Sequence, residues 1–242
     1  MEPQKEGNRM MLFFGILANK AADGLVSLYM PLMQRLKIKG ANVTNSTIKG
    51  KIQMKQHHIC SWRGGPVLAA SIRKLVHNPN RIVEPYLSEG MTAMDIGCGM
   101  GFFTIPMSGI TGKQGNVIAV DLQPEMLAGL QENAEKAGCE NITFHQCGYD
   151  SLNISLWNEN VDFALIFMML HEVPDADRLI REVYNALAPG GKLLFSEPIV
   201  HVEYKKFQHS VSMIQQQGFN MIATPRINIC RSVVFQKGSV QS

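Results

Sequence analysis

The sequence predicts an α/β fold with a mostly parallel sheet, on three observations. From residue 92 onward short apolar runs alternate with helical patterns. That alternation means βαβ units, with parallel strands and right-handed crossovers. The run 161–168 is almost continuously apolar, as befits a strand covered on both faces. The run that ends at 96 leads through Gly97, Gly99 and Gly101 directly into a helical pattern, the kind of corner at which such sheets hold ligands.

Taken in order, the elements read as follows. Pro66 suits a first helical position, and Val67, Leu68, Ile72, Leu75 and Val76 form an apolar stripe behind it. That helix stops before Asn78-Pro79, because the residue ahead of a proline avoids the α region. A short helix over 81–87 is closed by Gly90. Strands are expected at 92–96, 116–121, 142–147, 161–168 and 191–196, with helices between them at 102–110, 123–137 and 175–187. A last helix near 203–217 precedes a closing hairpin of 219–223 and 229–235 around Pro225.

Residues 1–56 differ in character. Leu25, Leu28, Tyr29, Leu32, Met33 and Leu36 share one helical face, and 37–55 is a polar, basic linker. The expected organisation is a basic leader at 1–56, helical or disordered, and a domain at 57–242. The leader reads as a frayed extension, with Met54 a candidate start of the folded domain. The other reading is a basic amphipathic helix resting on an anionic membrane surface or a partner.

With 242 residues, 45% of them apolar, the chain can bury a full core. Its net charge of +3 is uneven: residues 1–56 carry nine Lys/Arg against three acids, which leaves the remainder at −3. A mildly acidic domain lacks the clustered Lys/Arg that phosphate contacts need, so nucleic acid is disfavoured as a partner. No apolar stretch approaches the ~18–20 residues that span a bilayer. The apolar run 10–18 lacks a small-residue cleavage site behind it, so it does not read as a signal peptide. Cys60, Cys98, Cys139, Cys147 and Cys230 are scattered and odd in number, as expected of reduced thiols in a cytoplasmic protein. His57-His58-Ile59-Cys60 lacks a second ligand pair, and no metal site is expected.

The chemistry concentrates at Asp95-Ile96-Gly97-Cys98-Gly99-Met100-Gly101-Phe102. Glycines there let the backbone turn tightly and let a ligand approach. The spacing is G-x-G-x-G, and Phe102 stands where the dinucleotide fingerprint keeps its third glycine. A ligand without phosphates fits better. Asp121 ends the next strand, where a carboxylate accepts hydrogen bonds from ribose hydroxyls. Two carboxylates, Asp95 and Asp121, suit a sulfonium and an ammonium better than a pyrophosphate.

On these residues the chain resembles the class I S-adenosylmethionine-dependent methyltransferases, over about 89–237. The glycine segment is similar to that family's first motif and Ala119-Val120-Asp121 to its second. Cys147-Gly148-Tyr149-Asp150 lies where the family contacts adenine. The segment 162–175, with Met168-Met169-Leu170-His171-Glu172, is similar to its fourth-strand region, and Leu187-Ala188-Pro189-Gly190-Gly191 to the turn into its fifth strand. The small-molecule branch, typified by ubiquinone-biosynthesis enzymes, is the nearest in kind.

The resemblance implies a Rossmann-like sheet of seven strands with helices on both faces and an antiparallel last pair. It implies that S-adenosylmethionine is the cofactor, with Gly97, Cys98 and Gly99 under its methionine part and Asp95 facing the amino end. Gly101 would serve helix–strand packing. Asp121 would hold the ribose, with Leu122 and Met126 beside the adenine and Gly148 and Tyr149 contacting it. Asp121 also reads as a helix cap, and Tyr149-Asp150 as an ordinary turn. Cys98 reads as a small residue that fits, not a nucleophile. His171, after the fourth strand, is the candidate general base; it reads equally as a cap or a pocket wall, and Glu172 and Glu197 are weaker candidates.

The expected reaction is in-line methyl transfer to a small-molecule acceptor. An Asn/Asp-Pro-Pro-aromatic motif, as in enzymes methylating base amino groups, is absent after the fourth strand, as is a Pro-Cys nucleophile. Scattered cysteines do not point to arsenite. Two alternatives remain: a non-catalytic S-adenosylmethionine-binding module, and a nicotinamide-dependent oxidoreductase.

Overall fold

The structure, a computed structural model, describes residues 76–238. The basic leader, its apolar helical face, the His57-His58-Ile59-Cys60 cluster and the stripe behind Pro66 as far as Leu75 lie outside those residues.

The described chain opens with helix α1 (Pro79–Val83). Asn78 caps it, its side chain accepting from the Arg81 N–H. A 3₁₀ turn over Glu84–Tyr86 follows, so the single helix expected at 81–87 is two short pieces, divided where Pro85 removes a backbone donor. Then come β1 (Thr92–Ile96), α2 (Thr104–Thr111), β2 (Asn116–Asp121), α3 (Pro124–Ala137), β3 (Ile142–Gln146), β4 (Val161–Phe167), α4 (Ala176–Ala186), β5 (Leu187–Pro198), α5 (Tyr204–Gln216), β6 (Phe219–Ala223) and β7 (Cys230–Lys237).

The seven strands form one sheet in the order β3-β2-β1-β4-β5-β7-β6. The pairs among β1 to β5 are parallel, and β7 runs antiparallel between β5 and β6. Successive side chains on a strand point to opposite faces, and both faces are covered. Val117 of β2 and Leu194 of β5 pack with Val83, Phe103 and Met107 on the α1 and α2 side. Ile118, Val120, Leu193 and Phe195 join Ile180 and Val183 of α4 and Phe207 and Ile214 of α5 on the other.

Two departures from expectation have local causes. Helix α2 begins at Thr104, two residues late, because Gly97, Gly99 and Gly101 all take positive φ and the chain needs Phe102 and Phe103 to leave that turn. Strand β5 starts at Leu187 instead of 191: Leu187 already pairs with Val161, the register shifts, and Lys192 pairs with Phe163. Gly190 at φ +80° absorbs that bulge. A Cβ on Gly191 would lie 2.8 Å from the Ala188 carbonyl oxygen.

Strand order reverses between β1 and β4, since β2 and β3 lie to one side and β4 and β5 to the other. Ligands of open α/β sheets bind outside the carboxyl ends of the strands at such a point. The glycine loop follows β1 there, and Met168 to Glu172 follow β4.

Candidate active site

The glycine loop is held by its own protein. The Gly97 and Cys98 N–H groups both donate to the Val120 carbonyl oxygen, at 2.8 and 3.1 Å, and the Gly101 N–H donates to the Cys98 carbonyl oxygen at 3.1 Å. The Gly99 N–H donates to Asp121 Oδ2 at 2.9 Å. The Asn133 side-chain amide of α3 donates to the Met100 carbonyl oxygen at 3.1 Å. Asp95, buried in β1, accepts from the Thr104 hydroxyl at 2.6 Å, which fixes the start of α2 beneath the loop.

Asp121 stands at the mouth with 8% of its surface exposed. Its Oδ1 accepts from the Gln123 N–H at 2.9 Å, so the turn into α3 and the glycine loop hang on one carboxylate. Each oxygen still has a lone pair to offer. Gln123 itself is the N-cap residue of α3. The helix-cap reading of Asp121 therefore describes one of its two oxygens. Leu122 follows directly, and Met126 sits half-buried in the first turn of α3.

The loop after β3 is tied to the same residue, because the Cys147 N–H donates to the Asp121 carbonyl oxygen at 3.0 Å. The Gly148 N–H donates to the Ser151 carbonyl oxygen at 2.8 Å, leaving Tyr149 exposed at the tip of that turn. Glu182 of α4 braces the loop, accepting from the Ser151 hydroxyl and the Asn153 N–H. Gly97, Cys98, Gly99, Asp121, Leu122, Gly148 and Tyr149 are thus gathered along one rim, with Gly101 beneath it. Asn133 and Glu182 were not legible as supports, since neither belongs to a spaced motif.

Both thiols here are inert by environment. Burial, reinforced by Asp95 and Asp121, pushes the Cys98 thiol far up. Burial and Asp121 raise Cys147 from 9.0 to about 11. A thiol at about 11 holds roughly a hundredth of the thiolate of one at 9.0, and thiolate is what alkylates. Iodoacetamide labelling read by mass spectrometry is expected to modify Cys98 and Cys147 far more slowly than the unfolded chain. Equal rates at neutral pH would contradict this account.

On the β4 side, Met168 takes φ +59° and its N–H donates to the Ser196 carbonyl oxygen at 2.8 Å. This non-glycine left-handed residue costs on the order of 1 kcal/mol and swings the chain across the crevice. Met169 then lies over Gly97, where a Cβ would meet its Cγ at 3.1 Å. His171 falls in a 3₁₀ turn over Leu170–Glu172. Its Nδ1 is 2.6 Å from Glu197 Oε2, and its backbone N–H donates to Glu197 Oε1 at 3.1 Å. Nε2 lies 3.9 Å from Glu172 Oε1, and the ring is 27% exposed.

The hydrogen bond to Glu197 raises His171 above its ordinary 6.5, outweighing the lowering by burial; the charges of Glu197 and Glu172 act the same way as that bond. A histidine raised on folding adds stability that is complete below the unfolded value and lost as pH rises through the folded one. Thermal melts of His171→Ala are therefore expected to show a larger loss at about pH 5.5 than at about pH 9. A gap independent of pH would show that the pair contributes no proton-linked stability.

A strand order reversing at β1 and β4, with an acid-anchored glycine loop at the strand ends, is the arrangement in which open α/β sheets hold their ligands. The model of a family described as a methyltransferase domain matches residues 87–236, well over half of the chain, so the chain belongs to the methyltransferase domain family. An arsenite methyltransferase of Aquipseudomonas alcaligenes is 33% identical over 48% of this chain and 35% of its own length. A ubiquinone/menaquinone biosynthesis C-methyltransferase of Escherichia coli is 31% identical over 46% of this chain and 45% of its own. The chain thus spans a third to a half of these relatives. The crystal structure of a SAM-dependent methyltransferase from Aquifex aeolicus superposes with a TM-score of 0.61 at 21% identity, covering 68% of this chain and 92% of that one, which confirms the seven-stranded fold. Among the described residues no helix is long and apolar enough to cross a membrane.

Proposed function

We propose that the protein binds S-adenosylmethionine in the β1–β4 crevice and transfers its methyl group to a small-molecule acceptor. One observation carries the reading: the N–H groups of Gly97, Cys98, Gly99 and Gly101 all donate to protein oxygens, so none of the four is left to cradle a phosphate. The rim instead offers a carboxylate, Asp121, matched to a ribose diol. The space above Gly99 is open, with no atom within 4 Å of where a Cβ would stand. These features fit the S-adenosyl group and disfavour a nicotinamide dinucleotide.

When bound, S-adenosylmethionine supplies a methyl carbon on cationic sulfur, and the acceptor's electron pair forms the new bond as the carbon–sulfur bond breaks with its pair kept by sulfur. The chain's task is to align the two, which supplies roughly 7–11 kcal/mol of the barrier. Met169 over the loop helps close the crevice. Where the acceptor is a hydroxyl or an activated carbon, His171 Nε2 takes its proton.

Arsenite fits the described residues poorly as an acceptor. Cys147 follows β3 and Cys230 opens β7, five strand spacings or about 24 Å apart. Cys139 lies at the opposite end of β3 from Cys147, about 17 Å along the strand. No three of the described thiols converge, and no cluster of three metal-ligating side chains occurs among the described residues.

Calorimetric titration with S-adenosylmethionine and, in parallel, NADH tests the binding. Micromolar affinity for the first alone is expected; affinity for NADH alone, or for neither, would overturn the proposal. Transfer of labelled methyl to any acceptor separates an enzyme from a binding module.

A further inference from the structure

Glu197 lies at the carboxyl end of β5 and is 2% exposed, yet nothing in the cofactor rim calls for a buried acid there. Both of its oxygens go to one residue: Oε1 to the His171 backbone N–H and Oε2 to His171 Nδ1. A carboxylate gripping both the backbone and the ring of the same histidine fixes its position and its ring plane together. We propose that Glu197 is the positioning residue of His171, holding the neutral ring with its proton on Nδ1 so that Nε2 stands bare as the proton acceptor. This rests on the methyl-transfer reading for its purpose, but not for its test.

The surroundings agree. An imidazole nitrogen next to a carboxylate acts as the donor, since an ionised carboxylate only accepts. In the neutral ring the other nitrogen must then be the acceptor. Nε2 faces only Glu172 Oε1 among the described residues, at 3.9 Å, beyond hydrogen-bond reach. Arg231 of β7 is the register partner of Glu197, but its guanidinium is committed elsewhere. It donates to the Val202 carbonyl oxygen at 2.8 Å and lies 5.6 Å from the Tyr204 ring centre. The charged groups bearing on the ring are therefore Glu197 from β5 and Glu172 from its own turn, with Arg231 behind Glu197. Both carboxylates favour the protonated ring, so the base titrates above its ordinary value.

The reach to Glu197 depends on the left-handed turn at Met168, which carries the chain from the end of β4 over to β5. An ordinary strand exit would aim His171 elsewhere. This is the left-handed strain usually seen where geometry is functionally constrained.

The test is nitrogen NMR on the full chain labelled with ¹⁵N-histidine, the His171 signal being assigned by its loss in His171→Asn. In the wild type the neutral ring is expected to carry its proton on Nδ1 with Nε2 bare, and to titrate above the ordinary 6.5. In Glu197→Gln the midpoint is expected to fall and the neutral ring to become a mixture of tautomers. A carboxylate that did not hold the ring would leave both properties unchanged between the two proteins. A wild-type ring protonated on Nε2, or mixed, overturns the proposal even where Glu197→Gln does not fold. So does a midpoint unmoved by the substitution. Calorimetry on the same samples keeps the two claims apart. S-adenosylmethionine binding is expected to stay within about twofold in Glu197→Gln, a change of at most ~0.4 kcal/mol. Its absence from both proteins would defeat the methyl-transfer reading while leaving the tautomer result standing.

Discussion

Replacing Asp121 with alanine is expected to weaken S-adenosylmethionine binding at least tenfold, about 1.4 kcal/mol. Two losses combine. The ribose hydroxyls lose a charged acceptor, and hydrogen bonds to charged groups carry about 1.5–3 kcal/mol each. The Gly99 N–H and the Gln123 N–H, each 2.9 Å from the carboxylate, also lose their partner, so the glycine loop and the turn into α3 are loosened together. Asp121→Asn separates the two causes. It keeps the size and one oxygen but aims an amide NH₂ at one of those N–H donors, so loop anchoring suffers even where a ribose contact survives. Both variants are expected to stay folded, because Asp121 lies at the mouth and not in the sheet core. Calorimetry beside a thermal melt reads both effects. Alanine binding as tightly as wild type would place the ribose away from the end of β2.

Much of this arrangement was legible because strand ends and loop residues repeat a pattern dictated by backbone geometry. β1 and β2 fall where the apolar runs do, and β4 ends one residue short of expectation, because an enclosed parallel strand must be apolar on both faces. Asp121 was legible from its place after the second strand. The brace of Asp121 onto Gly99 was not, since a hydrogen bond over 22 residues leaves no mark in local spacing. His171 and Glu197 were each visible as polar residues at strand ends. Their pairing needed the order β1-β4-β5 and the left-handed turn at Met168, and nothing in a methionine announces a positive φ. The early start of β5 was hidden for a related reason: Pro189-Gly190-Gly191 reads as a turn, and only the bulged pairing with Val161 makes it strand.

The glycines divide the same way, and substituting them is expected to separate folding from binding. Gly101 takes φ +93°, and a Cβ there would lie 2.2 Å from Leu130 Cδ1 and 3.3 Å from the Ile105 side chain. Leu130 is fully buried against Cys98, Ala119 and Leu127, so its tip has nowhere to retreat. Overpacking costs about 1–3 kcal/mol and the left-handed backbone about 1–2 more. Gly101→Ala should therefore lose about 2–5 kcal/mol in denaturant unfolding. Gly99 takes φ +52° and a Cβ there meets nothing within 4 Å, so Gly99→Ala should lose only about 1 kcal/mol. Its methyl group, however, enters the open space above the loop, the volume assigned to the methionine part of the ligand. Affinity for S-adenosylmethionine should fall more than tenfold while the fold stays nearly intact. If Gly99→Ala binds normally, that open space is not the binding volume, and the ligand must lie further toward Met169 and the end of β4. If Gly101→Ala proves as stable as wild type, helix α3 is free to move away from the loop, and the Asn133 bond to Met100 cannot be what holds the two together.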